Sequence, residues 1–226
     1  MEKIRIIIAD DHALVRQGMR NLLDQEPDLE VVAEANDGEE AVEMTAQFKP
    51  DVAIVDIAMP RLDGIEATKQ IKELYPETKV LILSAYDEDQ FIFRLLEVGA
   101  SGYLLKNVQS RELIAAIRTV QEGDSVLHPQ IARKVVTRFA PNYGKGNRHE
   151  AAGVLSEREM EILKHMTTGS SNKEIAEILG LSKRTVQGHM AQIFNKLGVR
   201  SRTEAVIRSL KEGWVSLDDI PSVSPK

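Results

Sequence analysis

Four short apolar runs, separated by longer amphipathic stretches, limit what this chain can fold into more than any other feature. They cover residues 4–9, 52–55, 80–83 and 103–105. Apolar runs of this length, alternating with helical patterns, are typical of parallel strands that helices cover on both faces. The sequence therefore predicts an α/β fold with a doubly wound parallel sheet.

Polar residues close these runs and form the candidate site. Two acids follow the first run, one acid the second, a hydroxyl the third and a lysine the fourth: Asp10, Asp11, Asp56, Ser84 and Lys106. Ligands of such sheets bind outside the carboxyl ends of the strands, so we expect all these side chains on one rim. Three carboxylates gathered there raise the free energy unless a cation neutralises them. The pattern predicts a site for a hard divalent cation, beside a lysine and a hydroxyl.

With the sequence around them, these residues resemble the receiver domain of bacterial response regulators. The matching motifs are Asp10-Asp11, residues 55–64 (Val-Asp-Ile-Ala-Met-Pro-Arg-Leu-Asp-Gly), Ser84-Ala85 and residues 102–106 (Gly-Tyr-Leu-Leu-Lys). The resemblance implies a flavodoxin-like sheet of five strands. It also implies that Asp56 accepts a phosphoryl group from a phosphohistidine of a sensor histidine kinase.

The resemblance further implies a role for each residue of the rim. Mg²⁺, or Mn²⁺ in its place, would be held by three carboxylates and one backbone carbonyl: Asp10, Asp11, Asp56 and Ala58. Lys106 would pair with the phosphoryl oxygens, and Ser84 would hydrogen-bond to one of them. Ser84 and Tyr103 would carry the change to the surface of the fourth helix, fifth strand and fifth helix, although an aromatic in a strand is by default a core residue.

Composition excludes several classes of protein and site. The chain has no cysteine, which excludes disulfides and thiol chemistry, and no apolar stretch approaches the roughly 20 residues of a membrane span. Its N-terminus leads directly into the first apolar run, so we expect no signal peptide and a soluble, cytoplasmic protein. The histidines show no spacing typical of metal ligands, and we expect them to be solvated or packed against helices.

The net charge of −6 is distributed unevenly along the chain. Residues 1–152 carry −8, whereas residues 153–215 carry +3. An acidic first part and a mildly basic second part fit a regulatory domain joined to a nucleic-acid binder, although +3 alone is a weak signal.

Loss of pattern divides the chain into four expected segments: the receiver-like domain at 1–122, a linker at 123–152, a second domain at 153–215 and a flexible tail at 216–226. Within the linker, residues 130–139 predict a short helix and residues 141–147 are rich in helix breakers.

Helix start signals mark the second domain. Three S-x-x-E motifs, which begin at Ser156, Ser171 and Ser201, predict capping boxes, in which the serine and glutamate side chains bind each other's free backbone amides. Gly180 followed by Ser182 predicts a tight break between two helices, with the serine as the cap of the second. Helix, short turn and helix in this order predict a helix-turn-helix.

Residues 153–210 resemble the LuxR-type DNA-binding domain. The matching stretches are 155–159 (Leu-Ser-Glu-Arg-Glu), 171–176 (Ser-Asn-Lys-Glu-Ile-Ala), 181–186 (Leu-Ser-Lys-Arg-Thr-Val), His189 and 196–205 (Lys-Leu-Gly-Val-Arg-Ser-Arg-Thr-Glu-Ala). With a receiver in front, the chain resembles the NarL/FixJ family of response regulators. The family implies a phosphorylation-dependent transcriptional regulator that binds double-stranded promoter DNA and forms a homodimer on phosphorylation or DNA binding.

The helix expected at residues 183–197 would read the DNA. Its apolar residues fall on one side at helical spacing and should pack against the other helices: Val186, Met190, Ile193 and Leu197. The opposite side would face the major groove with Arg184, Gln187, Gly188, Ala191 and Asn195. Cations near the helix ends are expected to contact phosphates: Lys183, Lys196, Arg200 and Arg202.

Two other classes of protein stay open from the sequence alone. A stand-alone phosphatase with an aspartyl-phosphate intermediate would use similar chemistry, but it commonly needs a second acid two residues after the nucleophile, where this chain has Ala58. Alternatively, the receiver could be a binding module that only mediates protein contacts and transfers no phosphate.

Overall fold

The computed structural model of the protein describes residues 3–128, 130–131, 134–135 and 155–215. The chain divides into two compact units, Met1–Ala132 and Arg133–Lys226. Where residues 130–139 are described they are helical, whereas the breaker-rich residues 141–147 and the expected tail at 216–226 lie outside the described residues. No helix in the described part of the chain is long and apolar enough to cross a membrane.

Six parallel strands form the sheet of the first unit. In chain order they are β1 (Ile4–Ala9), β2 (Leu29–Ala35), β3 (Val52–Val55), β4 (Lys79–Ser84), β5 (Gly102–Leu105) and β6 (Val126–Leu127). Their order in the sheet is β2-β1-β3-β4-β5-β6, and neighbours are parallel throughout. The doubly wound parallel α/β fold predicted from the sequence is confirmed.

The sheet has one strand more than the five expected. β6 pairs with β5 and lies inside the segment expected to be linker. Backbone hydrogen bonds hold it there: Val126 N donates to Ser101 O at 3.3 Å, and His128 N donates to Tyr103 O at 2.9 Å. A strand of two residues is too short to produce a hydrophobic pattern, which is why the sequence did not indicate it.

Within residues 3–128, five helices accompany the sheet: α1 (Ala13–Leu23), α2 (Gly38–Phe48), α3 (Gly64–Leu74), α4 (Asp89–Glu97) and α5 (Ser110–Gln121). The central strands are buried on both faces, since Ile6, Ile7 and Ile8 of β1 are all 0% exposed. Consecutive buried positions explain why these strands read as continuous apolar runs and not as alternating ones.

The register of the strands brings the candidate site together. Ala9 pairs with Val55, and Asp56 N donates to Ala9 O at 2.9 Å. On the neighbouring pair of strands, Lys106 N donates to Ser84 O at 2.9 Å. The polar residues that close the strands therefore meet at one rim, as the sequence predicts.

A close backbone approach holds the start of α3 against the end of β3. Gly64 N donates to Ile57 O at 2.9 Å, and a Cβ atom at Gly64 would lie only 2.0 Å from Asp56 O. Side-chain movement cannot relieve that contact, because the obstructing atom belongs to the backbone. Asp63 caps α3 by accepting hydrogen bonds from two amides of its first turn, at 3.0 and 2.8 Å.

Residues 155–215 of the second unit form four helices: α6 (Glu157–Thr167), α7 (Asn172–Leu179), α8 (Lys183–Leu197) and α9 (Arg202–Lys211). They enclose one core, in which the apolar residues of α8 are buried as predicted: Val186, Met190, Ile193 and Leu197. Gly180 ends α7 with a φ of 64°, and Ser182 begins α8 by accepting a hydrogen bond from Thr185 N at 3.0 Å. α7, this turn and α8 form the predicted helix-turn-helix.

Two of the three predicted capping boxes are complete, those at α6 and α7. At α9, Ser201 accepts a hydrogen bond from Glu204 N at 3.1 Å, but the Glu204 carboxylate accepts from Arg200 N at 2.7 Å. The φ of Ser201 is −147°, against −67° and −63° at the complete boxes. The backbone of this third cap therefore differs from that of the other two.

A buried ion pair joins α6 to the end of α8. Glu159 is 2% exposed, and Lys196 Nζ lies 2.6 Å from its Oε2. The same carboxylate accepts a hydrogen bond from Ser156 N at 2.7 Å. Burial alone would raise the pKa of Glu159, but the hydrogen bonds from Lys196 and Ser156 hold this pKa below its ordinary value. The charged carboxylate therefore stabilises this unit.

Glu159→Gln should lower the free energy of unfolding of the second unit by about 1 to 2 kcal/mol at neutral pH, because it removes a charge-assisted hydrogen bond. A carboxyl whose pKa folding lowers stabilises above its unfolded pKa, and that contribution is lost as pH falls through the folded pKa. The difference from wild type should therefore shrink below about pH 4. Denaturant unfolding followed by the fluorescence of Trp214, the one tryptophan of the chain, measures this difference. A difference that stays constant down to about pH 3 would contradict the role of the charge.

Gly64→Ala should destabilise the first unit by roughly 1 to 3 kcal/mol, because its methyl group has no room beside Asp56 O. Gly18→Ala in α1 is the matched control, since an added Cβ there would meet no atom within 4 Å. Alanine favours helices, so this control should stabilise by roughly 0.5 to 1 kcal/mol. Urea unfolding followed by circular dichroism compares the two variants. Equal changes at both sites would show that the close approach is not what requires glycine.

Candidate functional site

Lys106 lies between two buried carboxylates at the carboxyl end of the sheet. Its Nζ is 2.7 Å from Asp10 Oδ2 and 2.7 Å from Asp56 Oδ2. Asp10 is 1% exposed and Asp56 is 4% exposed. Burial alone would lower the pKa of Lys106, but its hydrogen bonds to Asp10 and Asp56 raise this pKa above the ordinary value. The amine therefore stays charged at neutral pH and neutralises part of the charge of the two acids.

The carboxylate of Asp56 is fixed in one orientation. Its Oδ1 accepts a hydrogen bond from Ile57 N at 2.7 Å, while its Oδ2 accepts one from Lys106 Nζ. The backbone behind it is held by β1 on one side and by Gly64 on the other. A carboxylate with a fixed direction and a neighbouring cation suits a nucleophile that must attack in line.

A second acid and a histidine extend this cluster at the end of β1. Asp11 is 34% exposed, and His12 Nδ1 lies 2.7 Å from its Oδ1 and 3.3 Å from Asp10 Oδ1. One ligand atom from each of Asp10, Asp11 and His12 lies within 4.8 Å of the others. The spacing of the histidines does not predict a ligand role for His12, although this residue directly follows the acidic pair in the sequence.

The residues at this rim fit a hard divalent cation. Asp10, Asp11 and Asp56 bring three negative charges, whereas Lys106 brings one positive charge. The excess of two negative charges is what one divalent cation would neutralise. Carboxylate and carbonyl oxygens are ligands that Mg²⁺ and Mn²⁺ take, and Ala58 lies exposed in the loop two residues after Asp56.

Ser84 and Tyr103, the residues assigned to the switch, are both 0% exposed. Ser84 Oγ accepts a hydrogen bond from Tyr86 N at 3.3 Å, and the Tyr103 hydroxyl donates to Tyr86 O at 2.8 Å. Burial raises the pKa of Tyr103, so its hydroxyl keeps the proton that this bond needs. Tyr103 is thus a core residue with a polar contact, and the backbone of Tyr86 connects it to Ser84.

One side of α8 is polar and open to solvent. The residues expected to face the major groove are all exposed: Arg184, Gln187, Gly188, Ala191 and Asn195. Gly188 and Ala191 have the smallest side chains on this side, so the helix backbone could approach base edges closely there. Lys183 at the start of α8 is half-buried, and Arg200 beyond its end is exposed.

Two of the cations assigned to phosphates are engaged inside the second unit. Arg202 is 6% exposed, and it donates to Asn172 Oδ1 at 3.2 Å and to Ser170 O. The guanidinium thus joins α9 to the start of α7, which disfavours a contact with DNA phosphates, and the expected phosphate contact of Arg202 stays a prediction. Lys196 is bound to Glu159, although 42% of its side chain is exposed. Position near a helix end does not reveal whether a cation faces solvent or a buried acid.

Family models match both units in the order that the sequence predicts. The model described as "Response regulator receiver domain" matches residues 6–118. The model described as "Bacterial regulatory proteins, luxR family" matches residues 153–209. The rim lies in the first match, and the helix-turn-helix lies in the second.

Similar proteins extend over nearly the whole chain. The transcriptional regulatory protein DegU of Brevibacillus brevis is 38% identical over 227 residues, which cover 95% of this chain and 96% of that protein. A crystal structure of the response regulator ChrA of a heme-sensing two-component system is 36% identical, with a TM-score of 0.52, and covers 95% of this chain and 100% of its own. A structure of two RcsB dimers bound to two parallel DNAs is 26% identical, with a TM-score of 0.55, and the match covers 93% of this chain and 99% of the RcsB chain.

These likenesses exclude the stand-alone phosphatase, since the family consists of transcriptional regulators and not of turnover enzymes. A receiver followed by a LuxR-type domain, together with a relative of this identity over almost its full length, shows that the chain is a two-component response regulator of the NarL/FixJ family.

Proposed function

We propose that this protein is a transcriptional regulator whose binding to promoter DNA depends on phosphorylation of Asp56 by a sensor histidine kinase. The observation that carries the proposal is the Lys106 ammonium, 2.7 Å from the carboxylates of both Asp10 and Asp56. An ammonium already placed beside the acceptor offsets the charge that develops on a transferring phosphoryl group. Because promoter DNA is the proposed target, we assign the function to the cytoplasm.

Asp56 is the nucleophile of this proposal. Its carboxylate attacks the phosphorus of the phosphohistidine, so that a P–O bond forms, the P–N bond breaks and the imidazole leaves. Asp10, Asp11, Asp56 and the backbone carbonyl of Ala58 would hold Mg²⁺ or Mn²⁺, which when bound neutralises charge on the phosphoryl oxygens. Lys106 releases its ion pair with Asp56 and pairs with one of these oxygens.

The Ser84 hydroxyl then donates to another phosphoryl oxygen. It lies next to Tyr86 N, so a change at Ser84 moves the Tyr86 backbone to which Tyr103 also binds. We propose that this path alters the surface formed by α4, β5 and α5 and favours a homodimer. The DNA-bound dimers of RcsB support the dimeric form, because paired half-sites on DNA match a two-fold protein.

On DNA, the polar side of α8 would enter the major groove. Arg184, Gln187 and Asn195 can donate to base edges, whereas Gly188 and Ala191 only allow close approach or contact a thymine methyl. Lys183, Arg200 and the exposed part of Lys196 would contact phosphates, which set register and affinity without reading sequence.

Phosphorylation is tested by intact-mass measurement after incubation with acetyl phosphate and Mg²⁺. We expect one added phosphate on the wild type, none on Asp56→Asn and none when the divalent cation is chelated, since both the acceptor and the cation are required. Asp24→Asn, a change at the exposed end of α1, serves as the control and should take up phosphate normally. Phosphate on Asp56→Asn would move the acceptor elsewhere. An unmodified wild type would favour a receiver that only mediates protein contacts.

Base reading is tested by gel-shift titration at two salt concentrations. Gln187→Ala should cost about 1 to 3 kcal/mol on the cognate site and little on random DNA, because the lost contact is to a base edge. Arg200→Ala should weaken binding to both DNAs alike. It should also reduce the slope of log affinity against log salt concentration by about one unit. Lys196→Ala is unsuitable here, because it also leaves Glu159 without its buried partner. Equal losses on both DNAs for Gln187→Ala would assign specificity to DNA shape or half-site spacing.

A further inference from the structure

An arginine in the loop after Asp56 has a backbone conformation that its side chain does not favour. Arg61 has a φ of 60°, in the left-handed region, where among the described residues Lys49 is the only other one that is not glycine. Leu62 N donates to Pro60 O at 2.7 Å, so the chain makes a three-residue turn centred on Arg61. An L-residue is strained there, and strain of this kind persists only where the surroundings enforce it.

The enforcing contacts come from the start of α2. Arg61 Nη2 contacts Asp37 Oδ2 and lies 3.0 Å from Glu40 Oε1, and its Nε lies 3.6 Å from Glu39 Oε2. Asp37 is 1% exposed and caps α2 by accepting a hydrogen bond from Glu40 N at 3.0 Å. The guanidinium is therefore attached to a rigid helix end. We name these contacts of Arg61 with Asp37, Glu39 and Glu40 the loop clamp.

Backbone contacts hold the same loop at both of its ends. Gly38 N donates to Leu62 O at 3.1 Å, and a Cβ atom at Gly38 would lie 2.4 Å from that oxygen. At α3, Gly64 packs against Asp56 O in the same manner. Ala58 lies between these two attachments, two residues after Asp56. The loop that carries Ala58 is therefore held on both sides of this residue.

We propose that Arg61 is a positioning residue for phosphoryl transfer. The loop clamp keeps Arg61 in its strained conformation and so fixes the path of residues 57–63, and this path directs the Ala58 carbonyl towards the divalent cation beside Asp56. The inference rests on the proposed function, because it requires that cation. A simple contribution of positive charge is a poor account of Arg61, since three carboxylates already surround the guanidinium.

Two substitutions at this position separate strain from charge. Arg61→Ala removes the clamp while the backbone still disfavours the positive φ, so the loop should relax and the affinity for Mg²⁺ should fall roughly 10-fold. Arg61→Gly also removes the clamp, but glycine adopts this φ without strain, so the affinity should fall by only about 3-fold or less. The affinity for Mg²⁺ should therefore be highest in the wild type, lower in Arg61→Gly and lowest in Arg61→Ala.

Arg61→Lys keeps the charge and loses the planar fork that contacts several carboxylates, so it should recover only part of the affinity. Glu43→Gln, an exposed change further along α2, is the control and should bind Mg²⁺ like the wild type. The full-length variants are compared by calorimetric titration with Mg²⁺ and by the rate of phosphate uptake from acetyl phosphate. Unfolding in chelator is measured alongside, because a merely structural role would change stability without changing the Mg²⁺ affinity of the folded protein.

Three results would overturn the inference. Wild-type Mg²⁺ affinity in Arg61→Ala would show that the clamp does not position the loop, and normal phosphate uptake on Asp56 would leave the proposed function intact. If Arg61→Ala and Arg61→Gly lost Mg²⁺ affinity equally and Arg61→Lys retained the wild-type affinity, the effect would be due to charge. A wild type that neither binds Mg²⁺ nor takes up phosphate would overturn the proposed function, and the inference with it.

Discussion

The ion pairs of Lys106 with Asp10 and Asp56 are the interaction on which the organisation of the first unit's rim depends. They connect the ends of β1, β3 and β5, three strands that are distant in sequence. Two buried carboxylates close to each other repel, and the ammonium between them offsets this repulsion. On the proposed function, the same ammonium lies where a phosphoryl group would arrive, so one contact would serve both folding and chemistry.

Much of the fold was predictable because burial on both faces leaves a strong pattern. Strands β1, β3, β4 and β5 read as continuous apolar runs, and each closes on a polar residue whose place on the rim follows from the parallel arrangement. The second unit was predictable for a different reason. Serine caps and the glycine at position 180 are local signals, and they place helix ends without any knowledge of tertiary contacts.

Three arginine and lysine contacts that the sequence did not reveal depend on partners distant along the chain. Arg202 and Lys196 stand near helix ends like any solvated cation, but their partners, Asn172 and Glu159, are 30 and 37 positions away. Arg61 contacts residues of α2 that are more than twenty positions away in the sequence. Neither its positive φ nor its acidic partners produce a periodic pattern in the sequence. Helical or strand spacing reports which face a residue occupies. It does not indicate which charged residue lies opposite on the neighbouring helix or strand.

The sixth strand restricts how the first unit can respond to a signal. Because β6 pairs with β5, Tyr103 sits on an interior strand with neighbours on both sides, Ile82 on β4 and Leu127 on β6. Moving the backbone of Tyr103 would break ladder hydrogen bonds to two neighbouring strands, whereas a change of its side-chain rotamer would keep both ladders and break the hydroxyl bond to Tyr86. On the proposed function, a signal carried by Tyr103 would therefore disturb the sheet least if it changed the rotamer of this side chain and left the strand in place.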